Sequence, residues 1–244
     1  MTSNIITPLD IEGYSICPYG YSMGNIEPTF KKDFSLTESA IAETIKLSEK
    51  NALLKDNSVT PRSMLKVWDR VWWPAALERG LSIDESRVLS GKVSTKLSGY
   101  CKYDISDFLY PTAGVDIVSE IKVGDSILRS EAKIIKVNLE NKKINTVIVE
   151  FNNKDFSARD IALSPYIRAK LLPFCDGVEN IHYVNVNIGD AFSKIKVSLF
   201  TFREDDIKRS LDMVSVLEEI SRKKIVLINP LFCKECNKCP NFSL

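Results

Sequence analysis

One histidine in 244 residues leaves little room for histidine chemistry. His182 has no second histidine and no neighbouring serine nucleophile, so a packed or surface role suits it better than catalysis. The formal charge is only +1, which excludes a protein-wide field drawing the chain to nucleic acid; any basic surface must be local. No apolar run approaches the roughly 18 residues of a membrane span. The opening stretch, Met1-Thr2-Ser3-Asn4-Ile5-Ile6-Thr7-Pro8, has no basic segment followed by an apolar one, and a cytoplasmic protein is expected. No phosphate-cradling glycine loop is present, since Gly20 to Gly24 lacks both the lysine and the strand-to-helix setting. No internal repeat or low-complexity tract appears. The apolar share of 44% and charged share of 27% are those of an ordinary globular chain.

What is present is a run of thiols, Phe232-Cys233-Lys234-Glu235-Cys236-Asn237-Lys238-Cys239-Pro240. Cysteines this close resist pairing into disulfides but can wrap one soft metal centre, and zinc and iron–sulfur clusters both use such runs. A fourth ligand is wanted, and the best distant candidate is Cys17. A centre on Cys17, Cys233, Cys236 and Cys239 would tie one end of the chain to the other. Cys101 and Cys175, beside Tyr100 and Phe174, read as buried thiols.

Along the chain, residues 1–34 read as an irregular arm with aromatic weight. Ser35-Leu36-Thr37-Glu38 opens a helix to about Leu54, with Ile41, Ile45 and Leu47 as its buried stripe. Thr60-Pro61 caps the next, which carries Met64, Val67, Trp68, Val71 and Trp72 at helical spacing and stops at Gly80. Core packing is expected for two of its three tryptophans, with stacking on nucleic-acid bases as the alternative use. Ser82-Ile83-Asp84-Glu85 caps a third helix, to about Tyr100. The period then changes to strands at 115–123, 126–139 and 145–151, with turns at Gly124-Asp125 and Asn141-Lys142. A helix from Ser157 to about Leu172, bent at Pro165, precedes strands at 181–188 and 194–202. Thr201-Phe202-Arg203-Glu204 caps the last helix, acidic at its start and basic at its end.

This order of parts, closed by cysteines, resembles the PD-(D/E)XK nuclease superfamily, in particular the RecB-like branch with an iron–sulfur cluster that includes AddB-type subunits and CRISPR-associated exonucleases. The resemblance covers roughly residues 80–240 plus Cys17. It implies an α/β fold: a restriction-endonuclease-like central mixed sheet flanked by helices, with a helical N-terminal half. Residues 1–80 would form an arm and helices carrying Cys17, and 81–244 the nuclease-like core with its C-terminal cluster segment. It further implies a 4Fe-4S cluster on Cys17, Cys233, Cys236 and Cys239, with zinc as the alternative. The last cysteine spacer is shorter here than in the family.

The family needs a metal-binding acid on the second strand and acid-x-lysine on the third, to hold Mg²⁺ or Mn²⁺ and activate water. In Leu128-Arg129-Ser130-Glu131-Ala132-Lys133, the aspartate position is Lys133. In Val149-Glu150-Phe151-Asn152 the acid matches as Glu150, but the lysine position is Asn152. Gly91-Lys92-Val93-Ser94 resembles the family's glycine-led turn without its histidine, and Tyr166 matches a family tyrosine while Ala162 stands at the glutamine. The catalytic set is therefore mostly replaced. Strand alternation puts Glu131 with Lys133 on one face, and Glu150, Asn152 and Lys154 on one face. A displaced site of Glu131, Glu150 and Lys154 is the active alternative.

Three readings follow. The first is a degenerate nuclease-like protein, binding DNA (single-stranded included) or acting as scaffold among the protein subunits of a bacterial DNA-processing, repair or antiviral defence complex. The second is a working metal-dependent nuclease with the displaced site. The third is a zinc-stapled protein-interaction module. None involves a membrane.

Overall fold

The computed structural model describes residues 4–17, 21, 33–55, 58–102, 111–140, 143–154, 156–178, 180–189 and 195–223. Residues 141–142 and 224–244 fall outside them, so the expected second hairpin turn and Cys233, Cys236 and Cys239 do too. The elements run β1 (Asn4–Ile6), α1 (Pro8–Ile16), α2 (Leu36–Lys55), α3 (Pro61–Glu78), α4 (Ile83–Lys102), β2 (Thr112–Val123), β3 (Ser126–Glu140), β4 (Lys143–Asn152), α5 (Ala158–Leu163), α6 (Pro165–Leu171), β5 (Asn180–Asn187), β6 (Lys196–Phe202) and α7 (Glu204–Arg222). This is a mixed α/β fold with a helical N-terminal half, as expected.

The six strands form one mixed sheet in the order β1-β3-β4-β5-β6, with β2 also paired to β3. Strand β3 is the hinge of the arrangement. Strand β2 pairs antiparallel along β3 from Ser126 to Lys136. The other edge of β3 is shared: β1 pairs parallel at Ser126–Leu128, and β4 pairs antiparallel from Ile134 onward. Residues 129–133 of β3 therefore face a split where β1 has ended and β4 has not begun to pair. Strands β4 and β5 are parallel, which requires a crossover, and α5 and α6 supply it.

Helices cover both faces. On one, Ile41, Ile45, Met64, Trp68, Trp72, Val93 and Leu97 of α2–α4 bury against Val147, Val149, Phe151, Val184 and Val186. Trp68 and Trp72 stack with ring centroids 5.1 Å apart at 11°, and their indole N–H groups donate to Ser90 Oγ and the Ser86 carbonyl of α4. Trp73 is half-buried, so two of the three tryptophans are core, as expected. The α2 stripe is less apolar than read: Leu47 is half-buried, while Thr44, Ser48 and Glu49 are buried. Glu49 accepts from Tyr100, Thr112 and Lys136 at 2.7, 2.5 and 3.0 Å, which satisfies a carboxylate inside the core. On the opposite face α1, α5, α6 and α7 pack over Ala132, Ile148, Ile181, Tyr183, Leu128 and Val123.

Three local expectations are corrected. The N-terminal arm is not irregular throughout, because Thr7-Pro8-Leu9-Asp10 is a capping box with proline at the first turn, and it starts α1. The helix from Ser157 is broken, not bent. Ser164, held extended ahead of Pro165, accepts from the Ile167 N–H and caps a new helix. Thr201 does not cap α7, since its hydroxyl pairs across the sheet with His182 Nδ1 at 2.9 Å; the Arg203 N–H donates to Asp206 instead.

Candidate functional site

Alternation along β4 sends Val147, Val149 and Phe151 to one face and Ile148, Glu150 and Asn152 to the other, and all six are buried. Glu150 is thus a carboxylate inside the protein, at the split in the sheet. A buried charge needs partners. It has them: Lys170 of α6 places its ammonium 3.1 Å from Oε1, with 7% and 1% of the two side chains exposed. The backbone N–H of Lys133, in the unpaired stretch of β3, donates to the same oxygen at 3.1 Å. Lys170 also donates to the Glu131 carbonyl at 2.5 Å and lies 5.7 Å from the Tyr166 ring centroid. Its own carbonyl accepts from Ser130, which pins the end of α6 to β3.

Further out the charges alternate. The Lys133 ammonium lies 2.5 Å from Glu131 and 3.4 Å from Asp116, and Lys46 of α2 lies 2.7 Å from Asp116 and 2.9 Å from Glu43. Burial works against the charge of Lys133, but the bond to Glu131 and the fields of Glu131, Asp116 and Glu150 overcome it and hold its pKa above the ordinary value. Asp116 is likewise opposed by burial, yet Lys46 and Lys133 hold its carboxyl below the usual range. Its φ of +51° is the sole positive value at a non-glycine among the described residues, in the left-handed region that aspartate tolerates better than most.

The residues singled out from sequence land unevenly. Glu131, Lys133 and Glu150 meet in this network. Asn152 is buried at the end of β4, and Lys154 lies beyond the strand in a bend, exposed, its N–H donating to Asn152 Oδ1 at 2.9 Å. His182 is half-buried, with its pKa lowered by that burial, and sits in the sheet. Cys101 and Cys175 are half-buried thiols, pushed up by burial to about 11 and about 12. Lys170, Asp116 and Lys46 were not legible as site residues.

Cys17 follows α1 and is buried, its N–H donating to the Gly13 carbonyl. A side chain at Gly13 would displace the Tyr21 ring, since a Cβ there would sit 2.2 Å from it, and the Tyr21 hydroxyl donates to Asp10. Helix α1 packs on α6 and α7, with Ile11 and Val214 in one apolar cluster.

No family model matches this chain. No curated protein matches it either. Two solved structures align over nearly its whole length. One is SSO0001, 16% identical with a TM-score of 0.39, covering 99% of this chain and 88% of that one. The other is a protein from Eubacterium rectale described as a candidate exonuclease, 6% identical with a TM-score of 0.46, covering 96% of this chain and 87% of that one. Likeness of this degree leaves function to be read from the residues. No helix among the described residues is long and apolar enough to cross a membrane.

Proposed function

We propose that this is a nuclease-like protein whose cutting site has been replaced by ion pairs, and that it acts by binding nucleic acid or as a scaffold subunit of a DNA-processing or defence assembly. One observation carries the reading: the acid that should hold the metal, Glu150, is neutralised from within by Lys170. A hard divalent ion takes oxygen ligands, and two or more carboxylates from neighbouring strands would normally supply them. Here one strand offers Lys133 instead, and its ammonium lies among the acids that remain. Asn185, the register neighbour of Glu150, adds one buried amide oxygen without a hydrogen-bond partner, and a lone neutral oxygen beside a paired carboxylate falls short of a ligand set. Among the described residues no three metal-binding side chains come together. The donor set does not fit Mg²⁺ or Mn²⁺, and no hydrolytic step is assigned to it.

The test is incubation of the purified full chain with single- and double-stranded DNA in Mg²⁺ and in Mn²⁺. Retarded migration without shortened product is expected. Cutting that vanishes in Glu150→Ala would overturn the reading.

The proposal includes a structural metal centre on Cys17, Cys233, Cys236 and Cys239, either 4Fe-4S or zinc. Position supports it. Cys17 is buried at the end of a helix that packs against α7, and α7 ends at Arg222. Ten residues separate Arg222 from Cys233, a reach of up to about 35 Å when extended. Such a centre would close a loop of most of the chain and limit the freedom of the unfolded state. Cys17→Ser is expected to lower bound metal and melting temperature together, measured by metal analysis and thermal denaturation. Wild-type protein carrying neither iron nor zinc would refute the centre.

A further inference from the structure

The helical hairpin α3–α4 is a basic part of a nearly neutral chain. Residues 60–102 hold eight lysines and arginines against four acids, a local +4 where the whole chain is +1. The excess is spread over both helices, but three of the cations line up on one face of α3. Arg62, Lys66 and Arg70 recur every four residues on the exposed side of α3, opposite the buried Met64, Trp68 and Trp72. Each step of four residues rises about 6 Å, so the three cations form a row. Among the described residues, none of the three has an ion pair. The neighbouring acid Asp69 lies at the edge of the row and leaves it net positive.

The same arc carries Trp73, which packs one side of its ring against the core and leaves the rest in solvent. Trp73 follows Arg70 by three residues and is half-buried, while Leu77, one turn on, is 63% exposed. A solvated helix face is ordinarily charged or polar along its length. Cations in line with an indole are instead what a flexible strand of nucleotides requires: point charges for successive phosphates and a flat apolar surface for a base.

We propose that the outer face of α3 is a binding platform for single-stranded nucleic acid, with Arg62, Lys66 and Arg70 on the backbone and Trp73 under a base. This rests on the nucleic-acid-binding reading above and locates its surface, on a face other than the Glu150 network.

The experiment is fluorescence anisotropy of a labelled single-stranded DNA 20-mer with the full chain, over a series of salt concentrations. Three phosphate contacts to a single strand contribute about 2 to the slope of log affinity against log salt. The combined variant Arg62→Gln/Lys66→Gln/Arg70→Gln is expected to bind tenfold or more weakly and to lose about 2 from that slope. Trp73→Ala is expected to weaken binding several-fold while leaving the slope unchanged. In the unmodified protein, strand binding should protect the accessible part of the tryptophan emission from iodide, because Trp68 and Trp72 are already buried. A triple variant that binds within twofold of the wild type, or iodide quenching that the strand does not alter, overturns the platform and leaves the nucleic-acid reading standing. Wild-type protein that binds no strand, but binds an acidic peptide or anionic vesicles, overturns both.

Discussion

Lys170→Met should cost about 3–5 kcal/mol of folding stability at neutral pH, because it leaves the Glu150 carboxylate buried beside a thioether. The methionine keeps the length of the stem and its packing under Tyr166, so the loss reports charge rather than a cavity. The effect carries a pH signature. Without the ammonium, desolvation should raise the folded-state pKa of Glu150 above its unfolded value of about 4.3. A raised acid is neutral and tolerated at low pH, and stability falls as pH climbs through the folded pKa. The variant should therefore approach wild-type stability near pH 4 and fall furthest behind it at pH 7 and above. Adding Glu150→Gln should restore most of the loss, since two neutral groups of similar shape replace a charge and its orphan. Urea denaturation across pH measures all three. A Lys170→Met protein as stable as wild type at pH 7 would mean that the pair is not closed as described, and the argument for a neutralised site would go with it.

Trp72→Ala should be about as damaging, at about 3–5 kcal/mol, in a protein whose total stability is on the order of 5–15 kcal/mol. Trp72 has no exposed surface, stacks on Trp68, and sits where α3 meets α4 beneath the sheet. Removing it empties the centre of the N-terminal helical half. Trp72→Phe keeps much of the volume but loses the indole's hydrogen bond to the Ser86 carbonyl and part of the ring's packing, and should cost about 1–3 kcal/mol. Trp73→Ala, at a half-buried position, should cost less than either. The midpoint of urea unfolding ranks the three. The opposite order would place the wrong tryptophan in the core.

The parts that could be read from sequence are those that local chemistry decides. Ser35 with Glu38, Thr60 with Pro61, and Ser82 with Glu85 each start a helix, because a hydroxyl that accepts from the first-turn N–H groups is a short-range device. Gly124 sits at φ +58° in the first hairpin turn for an equally local reason. Misreadings came where two local devices competed. Ser164 before Pro165 is itself a cap, so the chain restarts its helix there instead of bending. Thr201 had a cross-strand partner in His182, which no pattern within four residues reveals. Lys170 was hidden for a related cause. Its neighbours Tyr166, Ile167 and Leu171 mark a buried face, but only the fold brings that face over a carboxylate twenty residues earlier in sequence. The three terminal cysteines could be read as ligands, and they lie outside the described residues.

The short strand β1 has a consequence for how the protein is made. Asn4–Ile6 leave the ribosome well before their neighbours in the sheet, since Ser126–Leu128 emerge only after more than a hundred further residues. At about 5–20 residues per second, Ile6 waits on the order of ten seconds for its slot. Helix α1, with Ile11 and Leu9, waits longer still, because α6 and α7 that cover it follow β3 in the chain. Nascent chains stalled before β3 should therefore be held by chaperones through this segment, and docking of β1 and α1 should be among the last events of folding.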